Sequence, residues 1–219
     1  MGSVAGVGEQ PLMLLVLVFA VALAHADNDT ALEAVSADAD ITYRTSFRLP
    51  CTDATWQAMV ADPLLFADLW NAYGYGPAYA VRAEGSALYV SDSTGLAGKV
   101  AVVEASPRRR RYLVAGEVDH WAVPFMNEGN AVFVLDTAVD VEGVAGELTV
   151  SVQAGSAIAG LVLRLARSVL LAHVANRIEL NLQDASTLLQ RIERQPEMVK
   201  NKVSPALWAR LQGALSPTH

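Results

Sequence analysis

Glu117, Asp119 and His120 are the side chains best suited to chemistry, and they stand directly before Trp121. A histidine beside carboxylates can act as a general acid or base, because its pKa lies near neutral pH. The alternative is that these are polar side chains at a strand end and in the following loop, surrounded by water. No second motif of the sequence converges on them. Glu117 and His120 therefore remain candidate catalytic residues of an enzyme, which is the less favoured of two hypotheses.

The histidines do not predict a metal site. The chain has His25, His120, His173 and His219, of which the first lies in an apolar leader and the last is the terminal residue. A zinc site needs three or four ligands. We predict no metal and no cofactor.

Cys51 is the only cysteine of the chain, so no intramolecular disulfide can form. A cysteine nucleophile requires a paired base in an electropositive setting. No histidine stands near Cys51 in the sequence. We expect this residue to behave as a small buried hydrophobe.

Arg164 and Arg167 break the apolar pattern of a long predicted helix from about Ala157 to Glu193. The later apolar residues share one stripe at helical spacing, namely Leu171, Val174, Ile178, Leu182, Ala185, Leu189 and Ile192. The earlier ones project to the opposite side, and the two arginines fall on the stripe. A kink near residues 170–173 would realign the faces. A straight helix would instead aim both arginines at a cavity mouth to pair with an anionic ligand, and its exposed apolar face could contact a membrane or a partner.

The first 26 residues have the pattern of a secretory signal. Leu12 to Ala24 is an unbroken apolar run, followed by the small-x-small sequence Ala24-His25-Ala26. We expect cleavage before Asp27 and an exported protein, periplasmic or secreted. The alternative is an uncleaved membrane anchor. The acidic segment 27–40 shows little periodicity, and we expect a flexible lead-in there.

The remaining chain predicts an α+β fold. Residues 41–49 alternate between apolar and polar types, as in a half-buried strand, and a pair of short helices carrying Trp56 and Trp70 follows. Strand-like runs then recur at Tyr79 to Ala83, Ala87 to Ser91, Lys99 to Ala105, Arg110 to Val118, Ala131 to Val141 and Glu147 to Gln153. Their short connections favour an antiparallel meander, with one face covered by the long helix.

Composition restricts the classes of partner. The chain has a formal net charge of -7 and a pI near 5.0, which argues against a nucleic-acid surface. Hydrophobic residues make up 53% of the chain, as expected for a globular domain. We place a ligand-binding domain at residues 41–199 and a tail with a short amphipathic helix at 200–219.

This order of elements resembles the helix-grip fold of the START-like superfamily, also called SRPBCC, which includes polyketide cyclases, Bet v 1-like proteins and lipid-transfer domains. The matching pieces are the opening "LPCTDATW" and "VADPLLFADLW", the hairpin "VAVVEASPRRRR" with Glu104 and Pro107, and the region around Leu180 to Leu182. The resemblance covers roughly Thr42 to Glu193. It implies a long hydrophobic cavity between a curved sheet and the last helix, with sterols, fatty acids, phospholipids, polyketides or plant hormones as ligand types.

The favoured hypothesis is a non-catalytic carrier or sensor of a hydrophobic small molecule or lipid, with transient membrane contact as a further expectation. The alternative is a cyclase or aromatase acting on an apolar substrate. Aromatic and aliphatic side chains suit such a ligand, and we predict a cavity lined by Trp70, Tyr89, Trp121, Phe125, Met126 and Phe133. Sequence alone leaves the ligand and the oligomeric state open.

Overall fold

Seven antiparallel strands form one curved sheet in the computed structural model, which describes residues 26–118 and 128–216. The strands are β1 (Ile41–Leu49), β2 (Tyr79–Glu84), β3 (Ala87–Asp92), β4 (Leu96–Ala105), β5 (Arg109–Val118), β6 (Glu128–Asp140) and β7 (Gly143–Ala154). Their order across the sheet is β1-β7-β6-β5-β4-β3-β2. Strands β2 to β7 are therefore a meander, and β1 closes onto the last strand of that meander.

Two short helices follow β1, as the sequence predicts. Helix α2 spans Asp53–Ala61 and α3 spans Pro63–Tyr73. The hydroxyl of Thr52 accepts from the amide of Thr55, and the carboxylate of Asp62 accepts from the amide of Leu65, so each helix begins at a side-chain cap. Gly74 ends α3 at φ 72°, a conformation that glycine adopts without strain.

Helix α5 (Arg167–Arg194) covers the concave face of the sheet. Its inward side chains pack with α2, α3 and the strands into the main core, whose largest fully buried members include Trp56, Trp70, Tyr112 and Phe66. The carboxylate of Glu193 accepts from Thr52, which fixes the carboxyl end of α5 beside the end of β1. The predicted α+β helix-grip fold, a curved antiparallel sheet around a long carboxyl-terminal helix, is confirmed by this strand order and by the position of the long helix.

The acidic segment before β1 is a helix rather than a flexible lead-in. Helix α1 spans Ala26–Ala37, and its Leu32 and Val35 are buried against Val103 and Val132 on the opposite, convex face of the sheet. Leu32 and Val35 are three positions apart, so both lie on the face of α1 that contacts the sheet. The sequence gives little sign of this helix, because the other residues of segment 27–40 are acidic, polar or alanine.

The long helical segment breaks at Ala166. Helix α4 (Ala157–Leu165) and α5 meet there at an angle of 75°. The break precedes the position expected from the sequence, 170–173, and it excludes the straight helix. Among the described residues no single helix has both the length and the apolar composition to cross a bilayer, although α4 and α5 taken together do.

The chain ends in two further helices, α6 (Pro196–Lys202) and α7 (Pro205–Leu215). Leu211 of α7 is fully buried, and Arg210 forms ion pairs with Asp62 and Asp68. The amphipathic helix of the tail therefore docks on α2 and α3.

Candidate functional site

Three glycines form a row across three neighbouring strands on the concave face, near one end of the sheet. Gly98 of β4 lies opposite Gly116 of β5, which lies opposite Gly129 of β6. A Cβ built on Gly116 would come within 4 Å only of the backbone oxygens of Ala97 and Gly129, both at 3.6 Å. The three atoms nearest to a Cβ on Gly129 would be backbone atoms of Gln153 and Ala154 in β7. No described side chain therefore lies within 4 Å of a Cβ on Gly116, whereas a Cβ on Gly98 would lie 3.1 Å from Cγ1 of Val114. We call the three residues the glycine row.

Apolar side chains surround the glycine row. Val90, Val114 and Ala131 occupy neighbouring positions of the same face, and Val174 of α5 packs against the same core. Ala131 and Val174 are only partly buried. The glycine row and its neighbours thus make an apolar surface on the face of the sheet that forms the main core.

Asn181 is the polar group of α5 that faces the interior, and it is fully buried. Its Nδ2 donates to the hydroxyl of Tyr79 at 3.4 Å, while its Oδ1 has no partner. Either orientation of the amide leaves one polar end unpaired. A buried acceptor without a partner costs free energy, so it suggests a group kept for a ligand or a water.

Three more buried polar atoms lack partners, and all lie around the segment from Tyr73 to Tyr79. They are Tyr73 Oη, Asp92 Oδ2 and Arg177 Nε. Asp92 is paired with Tyr79 in the ladder of β2 and β3, and the guanidinium of Arg177 donates to the carbonyl of Gly76. Asn181, Asp92 and Arg177 form what we call the polar cluster, since Tyr79 contacts Asn181 and pairs with Asp92, and Arg177 lies one turn before Asn181 on α5. It lies at the same end of the sheet as the glycine row.

Burial sets the protonation of the groups beside this cluster. It raises the pKa of Tyr73 and Tyr75, against the opposing influence of Arg191. Both phenols are therefore neutral hydrogen-bonding groups at neutral pH, and Arg191 donates to the Tyr75 hydroxyl at 3.3 Å. Burial also raises the pKa of Asp184, while Arg177 lowers it.

Trp70 and Phe133, two of the predicted lining residues, are buried members of the main core. The Trp70 indole donates to the carbonyl of Pro77 at 2.9 Å and packs against Tyr75 and Tyr79. It therefore helps to hold Tyr79, the hydrogen-bond partner of Asn181, in place. Phe133 is buried on the concave side of β6.

Tyr89 does not line this surface. It alternates with the buried Leu88 and Val90, which places it on the convex face, where the guanidinium of Arg82 lies 3.8 Å from its ring centre. Alternation along β3 decides the direction of this side chain, and an aromatic residue follows the same rule as any other.

Arg164 and Arg167 also lie away from the polar cluster. Arg164 pairs with Asp40, next to the first residue of β1 at the other edge of the sheet, and Arg167 is exposed. Because the helix breaks at Ala166, the straight-helix projection that aimed both arginines at a cavity does not apply.

The remaining predicted residues fall partly or wholly outside the described residues. His120, Trp121, Phe125 and Met126 lie outside, as does the side chain of Glu117, whose backbone pairs with Ala97 and Glu128. Within residues 26–118 and 128–216, no three His, Cys, Asp or Glu side chains gather as a metal site would require.

Sequence reasoning missed Asn181, Tyr79 and the glycine row as site residues. The available signal for Asn181 was its polar side chain close to an apolar helical stripe. The glycine row could not be recognised without the register, because the three residues are far apart in the sequence and become neighbours only by strand pairing.

Two open grooves lie elsewhere on the described surface. One, of about 670 Å³, lies at the opposite end of the sheet around Phe47, Thr137 and Gly146. The other, of about 380 Å³, lies between α3 and α7 beside Asp68 and Arg210. Neither contains any of the unpartnered buried atoms, so we consider the polar cluster and the glycine row the better candidate site.

Comparisons with known proteins give structural likeness only. No family model and no curated protein matches the sequence. A conserved protein from Geobacillus kaustophilus is similar over 67% of this chain and 96% of its own, with 16% identity and a TM-score of 0.48. A protein from Mycobacterium smegmatis is similar over 70% of this chain and 94% of its own, with 13% identity and a TM-score of 0.49. Ara h 8.0201 is similar over 68% of this chain and 97% of its own, with 8% identity and a TM-score of 0.41.

Proposed function

We propose that this protein binds a largely apolar small molecule or lipid between the concave face of its sheet and α5, without transforming it. The observation that carries the proposal is the combination of the glycine row, with no described side chain within 4 Å of a Cβ on Gly116, and the polar cluster at the same end of the sheet. The glycine row offers apolar contact area, and the polar cluster offers hydrogen bonds that would orient one end of the ligand.

Burial of the ligand would supply most of the affinity. At about 25 cal/mol per Å², covering roughly 300 Å² of apolar ligand surface gives about 7 kcal/mol before the costs of association. The polar cluster would determine the orientation of the ligand. Asn181 Oδ1 would accept from a hydroxyl of the ligand, whereas Arg177 Nε would donate to a carbonyl or hydroxyl oxygen.

Native mass spectrometry of the purified protein, with organic extraction of bound molecules, tests the proposal. Gly116→Leu would place a side chain over the glycine row, and we expect it to reduce the retained ligand at least tenfold. Gly213→Leu is the matched control, because a Cβ there meets nothing within 4 Å on the exposed side of α7. Equal retention by both variants, or no apolar molecule bound to wild-type protein, would contradict ligand carriage.

The same preparation tests the absence of catalysis. Conversion of the extracted molecule by the wild-type chain, lost on His120→Gln, would overturn the non-catalytic part of the proposal and favour the cyclase alternative. One acid or base group contributes roughly 10² to 10⁴ in rate, so such a loss would be easy to measure.

We also propose that the protein is exported and that the mature chain begins at Asp27. The apolar run from Leu12 to Ala24 and the Ala24-His25-Ala26 sequence support this. Cleavage there would remove a single residue of α1, which begins at Ala26, and would keep Leu32 and Val35. N-terminal sequencing of exported material measures the start site, and an intact Met1 in the membrane fraction would contradict it.

A further inference from the structure

Large apolar side chains are exposed where α4 meets α5. Ile158 is 75% exposed, Leu161 52%, Leu165 79% and Val169 73%. Single exposed apolar side chains are common on protein surfaces, but four within one helix and the first turn of the next form a patch. We call these four residues the apolar knuckle.

The buried side of α4 explains why the knuckle points outward. Ala159, Gly160 and Leu163 face the protein, and Gly160 approaches the carboxylate of Asp40 so closely that a Cβ would lie 2.7 Å from an oxygen. Asp40 also pairs with Arg164. These contacts pack the face of α4 that carries Ala159, Gly160 and Leu163 against the protein, and they leave its larger apolar side chains exposed to solvent.

The helical segment that carries the knuckle is basic, although the chain as a whole is acidic. Residues 157–178 contain Arg164, Arg167 and Arg177 and no Asp or Glu, although the chain has 23 acidic residues and a net charge of -7. Asp40 neutralises Arg164, and Arg177 is bonded to Gly76, so Arg167 is the exposed cation beside the knuckle.

We propose that the apolar knuckle docks on an anionic lipid surface, with Arg167 contacting the headgroups. Charge complementarity favours this occupant, since a locally cationic and apolar surface on an acidic protein suits anionic lipid. Helix α4 and the start of α5 have the composition of a membrane segment but are bent by 75°, and Ile178 is held in the core. The knuckle therefore lies in the interface and does not span the bilayer.

A fluorescent label placed in the knuckle of the full chain tests the docking. Val169→Cys and Val141→Cys are a matched pair, because both valines are exposed and Val141 lies in the turn between β6 and β7, 103% exposed. The native Cys51 does not compete for the label, since it is buried and its pKa is raised to about 12. We expect a blue shift of an environment-sensitive dye at position 169, and none at 141, when vesicles of phosphatidylcholine and phosphatidylglycerol are added.

Charge dependence distinguishes docking on anionic lipid from purely apolar adsorption. Vesicles of phosphatidylcholine alone should give a much smaller shift at position 169. Arg167→Gln should weaken the response to anionic vesicles about fivefold, the usual effect of one cation near such a surface. Arg194→Gln, an exposed arginine at the other end of α5, is the control and should leave the response unchanged.

Several outcomes would overturn the proposal. A shift of equal size at positions 169 and 141 would mean that the knuckle does not select the lipid surface. A shift at 169 that grows with protein concentration in the absence of vesicles would assign the knuckle to a second copy of the chain. Ligand retention measured in solution is independent of both results, so failure of docking would leave the proposed carrier function standing.

Discussion

Replacing Asn181 by Leu should stabilise the ligand-free protein while weakening ligand binding. Asn181 is fully buried, its bond to Tyr79 is long at 3.4 Å, and its Oδ1 is unpaired. An unpaired buried acceptor costs about 1 to 3 kcal/mol, more than a bond of that length returns. Leu has a similar size and branches at the same carbon. We expect Asn181→Leu to raise the free energy of unfolding by about 1 kcal/mol.

Asn71 provides a matched control with the opposite sign. Its Nδ2 donates to the carbonyl of Tyr79 at 2.6 Å, and its Oδ1 accepts from the amide of Tyr79 at 2.9 Å. Asn71→Leu removes both bonds at the start of β2. Because Asn71 is itself exposed, water recovers part of the loss, and we expect a decrease of about 1 to 2 kcal/mol.

Urea unfolding of protein stripped of bound molecules measures both changes, and titration with the extracted ligand measures affinity. Asn181→Leu should lower affinity for a hydroxyl-bearing ligand at least tenfold, about 1.4 kcal/mol, and Asn71→Leu should not. A loss of stability in Asn181→Leu as large as in Asn71→Leu would refute the reasoning. Asn181 would then be a structural hydrogen-bonding residue, with its Oδ1 satisfied by water.

Three further predictions concern other parts of the chain. Burial, reinforced by Glu193 and Asp53, raises the pKa of Cys51 from 9.0 to about 12, so the fold favours the protonated thiol. The protonated thiol of Cys51 stabilises the fold fully below the unfolded pKa, and this stabilisation is lost as the pH rises from 9.0 towards about 12. Relative to Cys51→Ala, the free energy of unfolding of the wild-type protein should fall by up to about 1.4 kcal/mol per pH unit in this range. Parallel pH curves for the two proteins would contradict this. Asp62→Ala should lower the free energy of unfolding in urea by about 1 to 2 kcal/mol, because Asp62 both caps α3 and binds Arg210. Arg210→Gln removes only the ion pair and should lower it by less than about 1 kcal/mol. Equal losses in the two variants would exclude the capping contribution. Replacing both Arg164 and Arg167 by Gln should leave the affinity ratio for a carboxylate ligand and its ester unchanged in binding isotherms, because neither side chain lies near the polar cluster; a selective loss of the carboxylate would place them in the site.

The sheet could be predicted well because its strands alternate cleanly. In β7, Leu148 and Val150 face the core while Glu147 and Thr149 lie outside, and the same rule applies to β1. Alternation is a local property that needs no knowledge of partners. The order of the strands follows from the short turns between them.

The candidate site was predicted less well because it depends on contacts between distant segments. Helix α4 packs on Asp40 through Gly160 and Arg164, a contact between distant segments that no helical projection contains. Tyr89 was assigned by residue type, although alternation along β3 placed it outside. The glycine row exists only through the register of three strands.

The pairing of β1 with β7 has a consequence for the order of folding. Thr42 and Ser151 contact each other although they are 109 positions apart, whereas β2 to β7 pair through successive hairpins. Closing so long a loop costs entropy that short hairpins do not incur, so the meander can form early and β1 must add late. We therefore expect β1 to pair with β7 in the last step of folding, when the bonds between Thr52 and Glu193 that hold the end of α5 also form. Mutations in β1 should therefore accelerate unfolding more than they slow refolding. The pairing of the first strand with the last would then determine how long the folded protein persists before it unfolds.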